Sequence, residues 1–203
     1  MRAVIKVGSN LLTDRTGRIN KRRIQSLARE ISEIVSRGVE VVMVSSGAIA
    51  SGLKKLKLKS KPKEIRKKQA TAAVGQPILM WMYEQYFLKY RKHVAQILLT
   101  RDDLSDRIRY INAKNTILTL LEMGVIPIIN ENDTVATDEI KFGDNDQLAA
   151  LVSGLVEANH LIILSDVRGL YTSDPKKDPH ASMIKHVKEF SKEIETIAKP
   201  TTT

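Results

Sequence analysis

The chain has 203 residues, of which 42% are hydrophobic and 28% are charged, and its formal net charge is +10. This length supports one sizeable core, so we expect a single domain. The absence of cysteine excludes disulfides, thiolate catalysis and cysteine-based metal sites. The N-terminal stretch is too lightly apolar for a signal peptide, and no apolar run reaches about 18 residues. We therefore expect a cytoplasmic protein without a membrane span.

Strand and helix patterns alternate along the first half of the chain. Short apolar runs with β-branched residues predict strands, and apolar residues at helical spacing predict helices. The predicted strands cover residues 3–7, 39–46 and 93–100. The predicted helices run from an Asn20 cap to Gly38 and over residues 48–56, 64–74 and 77–90.

The second half of the chain continues this alternation. The predicted elements are a helix over 112–123, a strand over 125–130, a polar loop or hairpin over 131–142, a helix from Asp144, a strand over 160–164, a loop-rich stretch over 166–179 and a last helix over 189–198. Near-continuous apolar strands that alternate with helices are typical of a mainly parallel sheet covered on both faces. The sequence therefore predicts an α/β fold.

The stretch GDND, residues 143–146, has two interpretations. As a helix start, Asp144 and Gln147 fit a capping box, and acids in a first turn suit the helix dipole. The apolar helical pattern that follows consists of Leu148, Leu151, Val152 and Leu155. As chemistry, the same acids and amide are suited to bind a ligand. The stretch alone favours the cap, so other residues have to decide between the two.

Polar residues stand at the end of several predicted strands. In open parallel sheets, ligands bind at the carboxyl ends of the strands. The residues at these ends are 6–9, 45–46 with Gly47, 130–133 and 165–166. This is more than helix capping needs, and it predicts a ligand site at this edge of the sheet.

Most standard catalytic motifs are missing from the chain. It contains no GxGxxG, GxSxG or HExxH, and residues 47–54 are only a near miss for a P-loop. The four histidines show no metal-ligand spacing, so we predict no metal held by the protein itself. The remaining polar groups fit phosphoryl transfer better than hydrolysis or redox chemistry, because that reaction mainly needs positioning and cationic support.

Two strand ends are candidates for anion binding. Lys6 can reach a phosphate, and backbone N–H groups near Gly8 and Ser9 can donate to the same group. Ser46 and Gly47 open a helix after a strand, where N–H groups can hold a carboxylate or phosphoryl group. The structural alternatives are an ordinary strand-end lysine and a simple N-cap.

The other candidates are acids, amides and hydroxyls. Asp133, Asn145 and Asp146 are suited to bind an ammonium group, or to orient lysines, through charge-assisted hydrogen bonds. Ser165 and Asp166 are suited to hold a nucleotide by its ribose and base. These roles also fit phosphoryl transfer to a small amino-acid substrate.

Much of the excess positive charge lies in residues 53–68, LKKLKLKSKPKEIRKK. No aromatic residue separates the basic ones, which disfavours a platform for stacking nucleic-acid bases. The favoured interpretation is a solvated surface loop. A field that attracts anionic substrates comes second, and nucleic-acid binding comes third.

Seven stretches of the chain carry a family resemblance. They are KVGSNLL, VVMVSSGAIASG, AAVGQ, QILLTRDDLSDRIRYINAKNT, VIPIINENDTV, EIKFGDNDQLAALV and LIILSDVRGLYTSDP. These stretches closely resemble the glutamate 5-kinases, a branch of the amino acid kinase family, from residue 6 to about residue 187. DVRGLYTSDP is shared across the whole family, whereas SSGAIASG, INENDTV and GDND favour the glutamate 5-kinase branch.

The resemblance implies a three-layer αβα sandwich around a mainly parallel sheet, the amino acid kinase fold. It implies transfer of the γ-phosphoryl group of ATP, with Mg²⁺ carried by the ATP phosphates, to the side-chain carboxylate of L-glutamate. The product, glutamyl 5-phosphate, begins proline biosynthesis. Feedback inhibition by proline and a homo-oligomer, either a dimer or a tetramer, are also implied.

The resemblance also implies roles for individual residues. Lys6 contacts the transferring phosphoryl group, and Asp146 orients the catalytic lysines. The implied substrate-binding residues are Ser46, Gly47, Asn130, Asp133 and Asn145. The implied ATP-binding residues are Lys6, Gly8, Ser9, Ser165 and Asp166. On this interpretation GDND does both jobs, because Asp144 caps the helix while Asn145 and Asp146 face the substrate.

The chain departs from these kinases near its end. It stops before the Gly-rich GTGGMxTK segment that completes their ATP site, and it lacks the PUA domain of many relatives. We therefore expect residues 1–203 to form one amino acid kinase domain, truncated at its C-terminal end. The alternative function is a catalytically incomplete kinase fold that binds an acidic partner or RNA through residues 53–68.

Overall fold

The computed structural model describes residues 1–14, 17–136 and 145–198. The chain divides into two compact units, a large one over Met1–Leu164 and a small one that begins at Ser165. The predicted loop beyond residue 136 and the predicted Asp144 cap lie outside the described residues.

The large unit is built on a parallel sheet. Its strands are β1 (Arg2–Val7), β2 (Glu40–Ser45), β3 (His93–Leu99), β4 (Val125–Glu131) and β5 (His160–Leu164). In the described part of the chain, five strands pair in the order β3-β4-β2-β1-β5, and every neighbouring pair is parallel. The predicted α/β fold with a mainly parallel sheet is confirmed.

The register of the strands brings their polar ends together. Val7 of β1 pairs with Ser45 of β2, and Ile129 of β4 pairs with Val44 of β2. Since parallel strands all point the same way, the residues that follow β1, β2 and β4 meet at one edge of the sheet. This edge is where the sequence predicts a ligand site.

Helices cover both faces of the sheet. In chain order they are α1 (Ser9–Leu12), α2 (Lys21–Ser36), α3 (Ala48–Lys55), α4 (Ile65–Leu88), α5 (Arg101–Ser105), α6 (Arg107–Glu122) and α7 (Asp146–Leu155). One apolar core joins α2 and α4 to alternate strand residues such as Ile5 and Met43. A second core joins α6 and α7 to the intervening residues, such as Val4 and Val42. The large unit is therefore the predicted αβα sandwich.

The prediction of two helices over residues 64–90 is wrong, because α4 is continuous through Pro77. An interior proline costs about 3 kcal/mol in a helix, so packing has to offset it. Helix α4 packs closely on α3 next to this proline, since an added Cβ at Gly75 would lie 1.8 Å from the carbonyl oxygen of Ala48. An added Cβ at Gly52 of α3 would likewise lie 2.0 Å from the carbonyl oxygen of Thr71 on α4.

Helix α6 begins five residues before the predicted start at residue 112. Its N-cap is Asp106, whose side chain accepts a hydrogen bond of 2.9 Å from the backbone N–H of Arg109. The short helix α5 before it was not predicted, and a capping box between Thr100 and Asp103 begins it. Both starts lie in polar sequence where apolar periodicity carries no signal.

The small unit contains short elements. Strand β6 (Leu170–Tyr171) pairs antiparallel with β7 (Met183–Ile184) in a stretch predicted to be mostly loop. Helix α8 (Lys192–Ile197) is shorter than the predicted helix over 189–198, and the side chain of Ser191 caps it. Across the described ranges, no helix combines the length and apolarity needed to cross a membrane.

Candidate functional site

A cavity of about 370 Å³ opens at the carboxyl edge of the sheet. It is lined by all of the predicted substrate-binding residues, Ser46, Gly47, Asn130, Asp133 and Asn145, and also by Ser9. These residues come from the ends of β2 and β4 and the start of α7. The structure therefore brings together residues from distant parts of the chain, such as Ser46 and Asn145, which are 99 positions apart.

Four polar side chains form a connected network at the wall of this cavity. The Nδ2 of Asn145 donates to the Oδ1 of Asn130 at 2.9 Å and to the Oγ of Ser46 at 3.1 Å. The Nδ2 of Asn130 donates to the Oε1 of Gln76 at 2.9 Å. Gln76, Asn130 and Asn145 are all buried. Buried amides that satisfy one another rigidify a site, because each lost bond leaves a desolvated polar group.

The side chain of Asn145, at the start of α7, belongs to this network and does not cap the helix. Asn145 stands at the N-cap position, where a side chain typically accepts a bond from the next turn, yet it makes no such bond. Its amide hydrogens go to Asn130 and Ser46 instead. The oxygen of this amide is then what remains for a ligand, as a hydrogen-bond acceptor. The predicted capping residue, Asp144, lies outside the described residues, and Asn145, which was predicted to bind the substrate, lines the cavity.

Lys6 and Asp146 form an ion pair beside the cavity. Lys6 is buried near the end of β1, on the sheet face that carries α7, and Asp146 is the first residue of that helix. A buried ammonium group is stabilised when a carboxylate pairs with it, since an uncompensated charge is costly in this environment. The predicted link between Lys6 and Asp146 thus has a direct geometric basis.

The backbone at the end of β1 differs in detail from the prediction. The N–H of Gly8 donates to the carbonyl oxygen of Leu164 at 3.3 Å. In α1, which begins at Ser9, the N–H groups of Leu11 and Leu12 donate to the carbonyl oxygen of Gly8, so the candidate anion donors at this helix start are the N–H groups of Ser9 and Asn10.

The turn between β2 and α3 depends on a glycine. Gly47 has a φ of 113°, a conformation that side chains other than hydrogen rarely adopt. An added Cβ would also lie 3.3 Å from the Cδ1 of Leu12. Behind this turn, the buried Tyr83 hydroxyl and the Oγ of Ser45 share a hydrogen bond of 2.7 Å. Burial raises the pKa of Tyr83, so this hydroxyl keeps its proton.

Asp133 follows β4 and lines the cavity. Burial raises its pKa to about 6, and the nearby charge of Lys61 acts in the opposite direction. At neutral pH the carboxylate is therefore ionised in a place that disfavours an uncompensated negative charge. Such a group favours a cationic ligand.

The basic segment, residues 53–68, contributes to the cavity wall. Lys59, Lys61 and Lys68 are among the lining residues. No individual role was predicted for these three lysines, and none was predicted for Gln76 of the polar network. Apolar periodicity and strand ends, the signals used for the other site residues, do not single them out. The positions of the three lysines support the interpretation that this segment creates a positive field that attracts anionic ligands.

Ser165 and Asp166, the other predicted ATP contacts, are the first residues of the small unit. Asp166 accepts a hydrogen bond of 2.8 Å from the Nζ of Lys176, and this bond lowers the pKa of Asp166. Both residues are described within their own unit only, so their role in holding a nucleotide stays a prediction.

The fold and the cavity define an α/β protein with a candidate ligand site at the carboxyl ends of its parallel strands. Residues 1–198 match the amino acid kinase family. The chain belongs to this family.

Curated relatives place the chain close to one branch. It is 53% identical over 198 residues to a glutamate 5-kinase of Thermoanaerobacter sp. (strain X514), covering 98% of this chain and 53% of the relative. It is 54% identical over 183 residues to that of Aromatoleum aromaticum, covering 90% of this chain and 49% of the relative. The chain thus spans about half the length of the relatives it matches.

A solved structure shares the fold. The UMP kinase of Bacillus anthracis superimposes with a TM-score of 0.57 at 20% identity, over 90% of this chain and 72% of that one. At this identity the likeness supports the fold and carries no information about the substrate.

Proposed function

We propose that this protein transfers the γ-phosphoryl group of ATP to the side-chain carboxylate of L-glutamate. The observation that carries the proposal is the cavity, which offers an ionised acid, an amide acceptor and a hydroxyl to one ligand. This set complements an α-amino acid. The similarity to curated glutamate 5-kinases supports glutamate as this amino acid.

The cavity fits the two ends of an amino acid differently. Asp133 and the Oδ1 of Asn145 suit the α-ammonium group, because the carboxylate supplies charge and the amide oxygen accepts a hydrogen bond. The hydroxyl of Ser46 accepts from Asn145, so its own hydrogen can go to a substrate carboxylate. The lysines of residues 53–68 along the wall favour a ligand that also carries negative charge.

Lys6 is the residue proposed for the phosphoryl group. A carboxylate oxygen of glutamate attacks the γ-phosphorus, the new O–P bond forms, and ADP leaves with the electrons of the broken P–O bond. No proton has to move, so the step needs cations and alignment and requires no general base. Asp146 holds the Lys6 ammonium in place through their ion pair.

Mg²⁺ is proposed to enter with the ATP phosphates. Among the described residues, no group of three or more histidine or acidic side chains is placed to hold a metal ion. The ion would neutralise phosphate charge, and the Lys6 ammonium lies close to Gly8, where an added Cβ would be 3.6 Å from its Nζ. Ser165 and Asp166 are proposed as nucleotide contacts on the resemblance alone.

Several further proposals rest on the family resemblance. These are a single amino acid kinase domain over residues 1–203, a dimeric or tetrameric assembly, feedback inhibition by proline, and a cytoplasmic location. None of them enters the argument for the reaction itself.

The test is to trap the acyl phosphate with hydroxylamine. The 203-residue chain, and a version extended by the Gly-rich segment of glutamate 5-kinases, are incubated with L-glutamate, ATP and Mg²⁺. We expect glutamyl hydroxamate from at least the extended chain and much less hydroxamate from L-aspartate, which is one methylene shorter. Failure of the extended chain to form glutamyl hydroxamate would overturn the proposal.

A further inference from the structure

We infer that Gln76 is a positioning residue for the proposed glutamate site, where it sets the orientation of the Asn145 amide through Asn130. The inference rests on the proposed function, because it concerns how that site recognises the α-ammonium group. Gln76 does not line the cavity wall with the predicted binding residues, and it acts through them.

The direction of the hydrogen bonds carries the argument. Gln76 presents its Oε1 to the Nδ2 of Asn130, which turns the Oδ1 of Asn130 toward Asn145. Asn145 therefore has to present its Nδ2 to Asn130, and its second amide hydrogen goes to Ser46. Each amide in the series fixes the next one, because a donor has to meet an acceptor.

The anchor of this series is rigid. Gln76 follows Gly75, where α4 approaches α3 so closely that an added Cβ would lie 1.8 Å from a backbone oxygen. On the same helix, Tyr83 bonds to Ser45, the residue before Ser46. Helix α4 thus holds Gln76 at a fixed distance from the turn that forms part of the cavity wall.

Loss of the Gln76 acceptor would remove the constraint on the amide orientations of Asn130 and Asn145. A side chain without a polar oxygen leaves the Asn130 Nδ2 buried without this partner, which favours rotation of that amide by half a turn. Asn145 would then adjust to Asn130 by presenting its oxygen there and its Nδ2 to the cavity. An amide donor repels an ammonium group, so the site would lose the feature that distinguishes an amino acid from a simple diacid.

This reasoning gives a comparison of two ligands. L-Glutamate carries the α-ammonium group, and glutarate is the same diacid without it. For Gln76→Met, which keeps the size of the side chain, we expect affinity for L-glutamate to fall about tenfold, as for one lost buried hydrogen bond or slightly more. Affinity for glutarate should change less than about twofold, since that ligand does not use the amide oxygen.

Two further variants separate positioning from general damage. Gln76→Glu keeps an acceptor oxygen facing Asn130, so it should retain the preference for L-glutamate even if it lowers stability. Thr71→Val is the matched control, because Thr71 is equally buried on α4 and its hydroxyl bonds within the helix, to the carbonyl of Lys67. It should lower stability without changing the ratio of the two affinities.

Calorimetry on the 203-residue chain measures both affinities, and NMR follows the side-chain amide signals of Asn145 without ligand. An equal fall in the two affinities in Gln76→Met, or no fall in either, would overturn the inference. Asn145 amide signals at the same positions in Gln76→Met and wild type would also overturn it. A wild-type chain that binds neither ligand would refute the proposed function. The amide signals would then still report whether Gln76 orients Asn145.

Discussion

Asp133 should make the free protein less stable at neutral pH than an amide at the same position would. Burial raises the pKa of this carboxyl from 3.8 to about 6. The folded protein therefore holds the proton in a pH range where the unfolded chain has already lost it. The contribution of this group to the free energy of unfolding therefore falls as pH rises from about 4 to about 6. Above the folded pKa of about 6 the ionised carboxylate destabilises the folded protein by the full amount.

The size of the effect follows from the shift. The pKa of Asp133 rises by about two units, and at about 1.4 kcal/mol per unit this gives at most about 3 kcal/mol. The side chain is only half-buried, so water reduces the cost, and we expect about 1–3 kcal/mol. Asp133→Asn cannot ionise, so its free energy of unfolding should exceed that of the wild type by this amount at pH 7.5. Near pH 4 the difference should vanish.

The assay is urea denaturation at several pH values between 4 and 7.5. Asp102→Asn serves as control, because it removes the same charge at an exposed position on α5. A difference between Asp133→Asn and wild type that is constant across this range would refute the reasoning. At pH 7.5, saturating L-glutamate should make the wild type more stable than Asp133→Asn. The ammonium group of the ligand compensates the Asp133 carboxylate, so binding strongly stabilises only the wild type.

Three other changes test separate parts of the structure. Asp146→Ala should lose most of kcat, by a factor of roughly 100 or more as for other groups that act on transition-state charge, and steady-state kinetics showing the parent rate would remove Asp146 from the site. Gly75→Ala should destabilise the protein by about 1–3 kcal/mol or prevent folding, as overpacking does, because its Cβ would overlap the Ala48 carbonyl; thermal melting measures this, and an unchanged melting temperature would contradict the α3–α4 contact. Lys61→Ala should raise the pKa of Asp133 further, because Lys61 lowers it, and should weaken L-glutamate binding mainly at low salt; equal weakening at high salt would argue against a field effect. Binding of RNA that this substitution abolishes would instead support the alternative role of residues 53–68.

The sheet could be predicted from the sequence because its strands are strongly apolar. Runs such as residues 39–46 and 125–130 have little choice other than a buried parallel strand, and the structure places β2 and β4 there. Once the strands are parallel, the position of their carboxyl ends follows, and with it the cavity residues Ser46, Asn130 and Asp133. This part of the site needs only the local pattern and the topology.

The errors lie where distant contacts override local signals. Pro77 predicts a break, but α4 continues through it, and Gly75 beside it packs closely on α3. The place of Asn145 at the cavity could be predicted only through the family resemblance, because its partners come from β4 and from the turn after β2. Gln76 lies in the resembling stretch AAVGQ but had no predicted role, because its partner Asn130 is 54 positions away. No local pattern contains such pairings.

The starts of α5 and α6 are a different kind of error. Thr100 and Asp103 form a capping box that the sequence shows openly, and Asp106 is an ordinary N-cap. The apolar side chains that follow, Ile108 among them, are exposed and do not form a core-facing stripe. A search that weights caps equally with periodicity would find both starts.

The strand order also affects how this chain emerges during synthesis. Strand β1 is made first, and it pairs on one side with β2 and on the other with β5, where Val4 lies opposite Leu161. At about 5–20 residues per second, roughly 6–24 seconds separate the completion of β2 from that of β5. For that time β1 is an edge strand, and its side that later pairs with β5 has no partner strand. An unpaired strand edge can pair with another growing chain. We therefore expect closely spaced ribosomes to lower the yield of folded protein and chaperones to raise it.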